Sequence, residues 1–260
     1  MIRGCARTWR RPLAIALVAL AAACSGGRPA DIEAEELPPP FTYVAVGASE
    51  TVGVGADDPV TQSWPNVFHR TALARSATLV NVGESGATVS QTLDRRLRAA
   101  LAEEPRLVTV WLNVNDLVRQ VPVEQYERDL RELVRALRRG GASDVLVAGM
   151  PPVLELPVVR ACLPGGTGCL LPGRLPSADL IAERVADYDA AIGRVASAEG
   201  AVVVDLATAA GGANTGNLVA ADGFHPSTEG HRRVAMAFQA ALEKLPSATE
   251  LRSPAGTRTG

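Results

Sequence analysis

Residues 42–82 read TYVAVGASETVGVGADDPVTQSWPNVFHRTALARSATLVNV, and their order decides the fold. Thr42–Val46 is a short apolar run of strand length, and Gly47 permits a sharp exit from it. Thr78–Val82 is a second such run. Between them, Trp64, Val67, Phe68, Ala72 and Leu73 share one face if Trp64–Arg75 is helical. Two β-runs joined through a helix form a parallel pair, since antiparallel neighbours need only a tight hairpin. The alternation continues outward. Further β-runs lie at Leu107–Leu112, Val145–Ala148 and Ala201–Leu206, and helical spacing at Val89–Leu101, Val123–Arg138, Ala178–Ala198 and Ser227–Leu245. Five buried runs alternating with helices predict an α/β fold with a five-stranded parallel sheet. Right-handed crossovers then give a doubly wound three-layer α/β/α sandwich. No internal repeat interrupts it.

Composition agrees. The chain has 260 residues, 47% of them apolar, 21% charged and only 4% aromatic, with a formal net charge of −2. Such a chain is neither disordered nor collagen-like nor a polytopic membrane protein. Nucleic acid is not its expected partner, because no excess of Lys and Arg exists to neutralise phosphates. The core must be built mainly from Val, Leu, Ile and Ala.

The N-terminus reads as an export signal, residues 1–23. Arg3, Arg7, Arg10 and Arg11 form a basic n-region, and Leu13–Ala23 is an apolar run too short to span a bilayer. Ala21-Ala22-Ala23-Cys24 followed by Ser25-Gly26-Gly27 resembles the lipobox of bacterial lipoproteins, in which the cysteine thiol is lipidated and becomes the first mature residue. The alternative is an ordinary signal peptide cut after an A-x-A site. Either way the protein is expected outside the cytoplasm, as an envelope lipoprotein or a secreted chain, touching membrane only through a lipid on Cys24. Removing residues 1–23 takes four Arg with it and leaves a net charge of about −6. Residues 24–40 are a Gly-, Pro- and Glu-rich tether, and Pro246–Gly260 reads as a flexible tail, leaving 41–245 as the folded domain. Cys5 leaves with the signal. Cys162 and Cys169, outside the cytoplasm, are expected to form a disulfide whose short loop contributes about 2.5 kcal/mol. Two thiols with no His nearby make a poor metal site.

In such sheets, ligands sit beyond the carboxyl ends of the strands. Four segments there carry unusual residues. Val46–Thr51 places Ser49 just past the first strand. Asn81–Thr88 brings Gly86 after the second. Trp111–Asp116 brings the Asn115 carboxamide after the third. Asp222-Gly223-Phe224-His225-Pro226 precedes the last helix, with a carboxylate three residues from an imidazole. Acyl transfer needs an activated hydroxyl, a base, an orienter for the base and donors for the oxyanion. His225 takes the proton of Ser49 in this reading, and Asp222 orients His225. The amides of Ser49 and Gly86 and the side chain of Asn115 bind the oxyanion. Each residue alone has an ordinary reading: a helix cap for Ser49, an Asx turn for Asn115-Asp116, a turn for Asp222-Gly223, and a helix entry for His225-Pro226. Their joint order carries the chemistry.

That order resembles the SGNH, or GDSL, hydrolases, over roughly residues 41–244. Gly47–Thr51 is similar to the GDSL block with Ser49 as nucleophile, Gly86 to the oxyanion glycine, Asn115 to the asparagine of the G-x-N-D block, and Asp222 and His225 to the D-x-x-H pair. The resemblance implies a three-layer, flavodoxin-like fold and ester hydrolysis without metal or cofactor. Ala48 and Glu50 replace Asp and Leu of the first block. Asn113 stands where the third block usually has Gly, with bulk to crowd the loop that carries Asn115.

Other motifs fall away. Gly53-Val54-Gly55 lacks a third glycine and a following helix, so no dinucleotide is expected. Ser49 is not in a G-x-S-x-G elbow. His69 reads as a packed or surface residue, His231 fits no metal spacing, and Arg95, Arg96 and Arg98 read as a solvated helix face. The expected activity is a Ser-His-Asp esterase with an acyl-enzyme intermediate, acting as a monomer on a small ester or an acylated glycan. The alternatives are O-deacetylation of a polysaccharide or peptidoglycan, and a non-catalytic surface binding protein, which Asn113 motivates. Specificity is expected from the loops at 53–63, 115–122 and 151–177.

Overall fold

The structure, a computed structural model, describes residues 38–169, 175–209 and 217–252. The export signal, Cys24, most of the tether and the last eight residues of the chain lie outside these. Five strands, β1 (Phe41–Gly47), β2 (Ala77–Asn81), β3 (Leu107–Trp111), β4 (Asp144–Ala148) and β5 (Val202–Val204), form one sheet in the order β2-β1-β3-β4-β5. Every adjacent pair is parallel. The chain leaves β1 towards one edge of the sheet and later returns to β3 on the other side of β1. The loops after β1 and β3 therefore diverge, and a crevice opens between them at the switch point. Ser49 follows β1 and Asn115 follows β3.

The strand period of two sorts the core into two layers. Val44, Val46, Val108, Val110, Val145 and Val147 face one way. They pack under α4 (Val89–Arg95), α5 (Leu97–Ala102), α7 (Val123–Arg138) and α9 (Ala178–Glu199). On α7, Tyr126, Leu130, Leu133, Val134 and Leu137 are buried at helical spacing, and Arg131 and Glu127 pair on the outer face at 2.8 Å. Tyr43, Ala45, Leu107, Trp111, Leu146 and Val204 face the other way, against α3 (Trp64–Ala72) and α11 (Thr228–Leu242). There Trp64 stacks on Phe238 with ring centroids 4.2 Å apart. Each large side chain buried this way stabilises the fold by about 1.5–3 kcal/mol.

Local signals set the helix starts. Thr88 and Gln91 form a reciprocal capping box on α4, and the Ser177 and Ser227 hydroxyls cap α9 and α11. Two sequence expectations change. The helix foreseen over 89–101 is two pieces joined at Arg96, whose guanidinium turns to Glu84 at 2.8 Å. The tail foreseen from Pro246 is folded as far as Arg252. Ala248–Leu251 makes a short helix, Leu251 is buried against the α3 layer, and its carbonyl accepts the Ala74 N–H at 3.0 Å. Glu250 also pairs with Arg106 at 2.6 Å, Ser247 bonds Asp144, and Arg252 bridges to Leu73, so several long-range contacts hold that polar segment down. Among the described residues no helix is long and apolar enough to cross a membrane.

Candidate active site

Helix α1 (Ser49–Val52) begins immediately after β1, so Ser49 is its first residue. The two-residue step from Gly47 to Ser49 puts the hydroxyl at the sheet's carboxyl end. Among the described residues the Ser49 and Gly86 amides donate to no other group. Ser49 Oγ lies 2.9 Å from His225 Nε2, although 176 positions separate them in the chain.

His225 is held by its own turn. Asp222 Oδ1 accepts the Phe224 and His225 amides at 2.8 and 3.0 Å, and Oδ2 lies 2.5 Å from His225 Nδ1. The Ala220 amide donates to the His225 carbonyl at 2.8 Å and closes the turn from the other side. The Asp222 carboxylate only accepts, so Nδ1 carries the proton and Nε2 offers its lone pair to the Ser49 hydroxyl. Burial alone would lift the Asp222 carboxyl. The hydrogen bonds from the His225 ring and from the two amides outweigh it and hold the group below the usual carboxylate range.

The two loops expected to bind an oxyanion flank this pair. Gly86 adopts φ +77°, a conformation that favours glycine, and its carbonyl accepts from Arg119 at 3.0 Å. The Glu84 amide of the same loop donates to the Gly47 carbonyl at 3.0 Å, and the Glu84 carboxylate binds Arg95 and Arg96, both at 2.8 Å. The side chains of these arginines are solvated, as the sequence reading expects, and both also pair with the loop through Glu84. Asn115 Nδ2 donates to the Ala87 carbonyl at 3.0 Å, which ties the second and third loops together.

Asn113 does not crowd Asn115. Its buried amide donates to the Ala148 and Gly149 carbonyls at 3.3 and 3.1 Å, at the end of β4. Asn115 reaches towards the β2 side and Asn113 towards β4, so the two carboxamides splay in opposite directions across β3. Cys162 and Cys169 are joined in a disulfide. Helix α8 (Pro157–Cys162), which leads into it, donates the Val158 amide to the Gly223 carbonyl at 3.1 Å. The insertion thus touches the turn that carries His225, a contact no local sequence pattern signals.

A cleft of about 850 Å³ opens beside His225, with mostly apolar walls that include Trp111, Val114, Leu156, Phe224 and Val234. Glu50 also lines it. Burial pushes the Glu50 carboxyl up to about 7. Among the described residues no group of three or more His, Cys, Asp or Glu is placed to hold a metal ion.

The buried His231 stands behind the site. Its Nδ1 accepts the Trp64 amide at 3.2 Å and its Nε2 lies 3.1 Å from the Val54 carbonyl. Accepting at Nδ1 requires the neutral ring, and burial lowers its pKa from 6.5 to about 4 even though the Val54 bond favours the charged form. Between these values the unfolded chain takes up a proton that the folded chain refuses, so this contribution is whole above pH 6.5 and is lost as pH falls towards 4. Its size is on the order of 3 kcal/mol. Glu50 and Asp116, both pushed up to about 7 by burial, tilt the curve the other way. The difference between wild type and His231→Gln isolates the histidine. Urea unfolding across this range is expected to show a wild-type advantage at neutral pH that vanishes in acid. A gap of the same size at both ends would count against the bracing role.

The profile of the GDSL-like lipase/acylhydrolase family matches residues 45–233. None of the curated protein sequences matches the chain. Among solved structures, TesA is 23% identical and superposes with a TM-score of 0.59, over 78% of this chain and 98% of its own. The lipase/acylhydrolase from Enterococcus faecalis is 19% identical, with a TM-score of 0.61 over 83% of this chain and 100% of its own. The psychrotrophic esterase EstA from Pseudoalteromonas sp. is 14% identical, with a TM-score of 0.57 over 78% of this chain and 97% of its own. These likenesses share the three-layer fold, and the profile match spans all four segments that carry the site. The chain belongs to the GDSL-like lipase/acylhydrolase family and is an ester-hydrolysing enzyme of the SGNH type.

Proposed function

We propose that the protein is an exported serine esterase that works through Ser49, His225 and Asp222. The observation that carries this is the 2.9 Å approach of Ser49 Oγ to His225 Nε2, with Asp222 on the opposite ring nitrogen. Ser49 Oγ attacks the ester carbonyl as its proton passes to Nε2. The carbonyl oxygen becomes an oxyanion, received by the Ser49 and Gly86 amides and by Asn115. The imidazolium then gives its proton to the leaving alkoxide, and the alcohol departs from an acyl-enzyme. A water, deprotonated by His225, attacks the acyl group and regenerates Ser49. Asp222 holds the ring orientation throughout and stabilises its cation.

The apolar cleft beside His225 favours an ester with an apolar flank over a sugar acetate, whose hydroxyls would lie unpaired against those walls. Asn113, turned to β4, removes the motive for a non-catalytic reading. A fluorophosphonate probe tests the proposal, because only an activated serine reacts with it. Peptide mapping is expected to find the adduct on Ser49, and a protein that stays unlabelled would defeat it.

Export rests on the basic n-region, the apolar run and Cys24, together with a disulfide of a kind that persists in oxidising compartments. In cells fed labelled palmitate, the wild-type chain is expected to take up label in the membrane fraction. Cys24→Ser is expected to take up none, and equal labelling of the two would rule out lipidation at that residue.

A further inference from the structure

Glu50 stands directly after the proposed nucleophile and on the wall of the cleft beside His225. Its carboxyl is poorly partnered. Oε1 takes the Ala48 amide at 3.4 Å and Oε2 faces Ser49 Oγ at 3.4 Å, both beyond the usual range for such bonds. The Ser49 hydroxyl has one proton, and the His225 nitrogen is the nearer acceptor at 2.9 Å. No Arg or Lys among the described residues pairs with Glu50. Arg233, on the same cleft, has a long 3.5 Å contact with Glu229 and forms no ion pair with Glu50. The other carboxyl on the cleft is Glu155, which is exposed. The Glu50 amide also bonds its own carboxyl, and the one charge partner that carboxyl has is the His225 ring rather than an Arg or Lys. A half-buried acid among apolar walls so weakly compensated is costly to ionise, and a cationic ligand would lower that cost.

We propose that Glu50 forms an amine-binding subsite, so that the preferred esters carry a protonated amine two to four bonds from the reacting carbonyl carbon. This rests on the esterase reading, which seats that carbon about 3–3.5 Å from Ser49 Oγ before attack. Glu50 Oε2 lies 3.4 Å from the same oxygen. An ammonium a few bonds from the carbonyl therefore meets the carboxylate, while the rest of the ester lies along the apolar walls. The amine can sit on the acyl or on the alcohol side, and two substrate pairs distinguish these. Ethyl 2-aminobutanoate against ethyl 2-methylbutanoate probes the acyl side. 2-(Dimethylamino)ethyl butanoate against 3-methylbutyl butanoate probes the alcohol side.

Dissociation constants come from NMR titration of Ser49→Ala protein, and kcat/KM from wild type. Each is repeated with Glu50→Gln added, which keeps the shape and removes the charge. Preference is read as the ratio within a pair, so any general loss of activity cancels. In one of the two pairs the amine ester is expected to be favoured about 10- to 100-fold, and Glu50→Gln is expected to bring that ratio close to one. Ratios near one in both wild-type pairs, or a preference that survives Glu50→Gln, would overturn the subsite. The two readings fail separately. Hydrolysis of all four esters without an amine preference sinks the subsite and keeps the esterase. An amine preference in binding, erased by Glu50→Gln and unaccompanied by turnover of any ester, supports the subsite and sinks the esterase.

Discussion

Ser49→Ala is expected to lower kcat for a short aryl acetate by about 10⁴- to 10⁶-fold while the protein unfolds at an unchanged denaturant concentration. The hydroxyl makes no bond that the fold depends on. Its near partner is the His225 ring at 2.9 Å, and its contact with Glu50 is long at 3.4 Å. His225→Ala should reach the same floor, and so should the double variant, because nucleophile and base act as one unit and their losses do not add. Asn115→Ala removes one oxyanion donor and should cost less, about 10²–10³ in kcat. Initial rates on the four proteins, with far-ultraviolet circular dichroism as the check on folding, decide the matter. Additive losses for Ser49 and His225 would mean that the two groups act independently, against the proposed proton transfer.

Gly55→Ala is the second large effect. Gly55 adopts φ +96°, and a Cβ there would lie 2.2 Å from the Pro226 carbonyl oxygen and 3.0 Å from His225 Cβ. Backbone must move, and the backbone concerned carries the His225 imidazole. Left-handed strain alone costs about 1–2 kcal/mol, and the collision raises the expected loss of stability to about 3 kcal/mol or more. A shift of His225 by about an ångström should cost a further 10²-fold in kcat/KM. Gly140→Ala is the control. Its φ is +66°, but nothing lies within 4 Å of a Cβ there, so it carries the strain without the collision. Urea midpoints and kcat/KM are compared for both. If Gly55→Ala behaves like Gly140→Ala, the close packing of Gly55 on the 225–226 backbone is not what holds His225 in place.

Most of the scaffold was legible because its signals are local. Each of the five strands falls on a predicted β-run, and α7 spans Val123–Arg138 as its apolar spacing foretold. The candidates Ser49, Asp222 and His225 stood out for a related reason. Each sits next to a turn or helix start whose chemistry is written in adjacent residues, and the Asp222–His225 link closes within three positions. What was missed has the opposite cause. Asn113 looked obstructive because its spacing from Asn115 is visible in one dimension, whereas its partners on Gly149 and Ala148 are not. Arg95 and Arg96 do lie on an exposed face, and only their pairing with Glu84, 11 and 12 positions away, was out of sight.

The amino-acid sequence by itself determined the order of strands and helices, the two-sided burial of the sheet, and the residue types able to carry acyl transfer. Periodicity and turn chemistry act over a few neighbouring positions, and those properties need nothing more. Only the tertiary structure decided which of these residues meet. It placed β1 between β2 and β3, brought Ser49 to the imidazole 176 positions later, packed Gly55 against the 225–226 backbone, and turned Glu50 into the cleft. Such meetings depend on how whole layers stack, and stacking energy belongs to pairs of surfaces rather than to any one segment of chain.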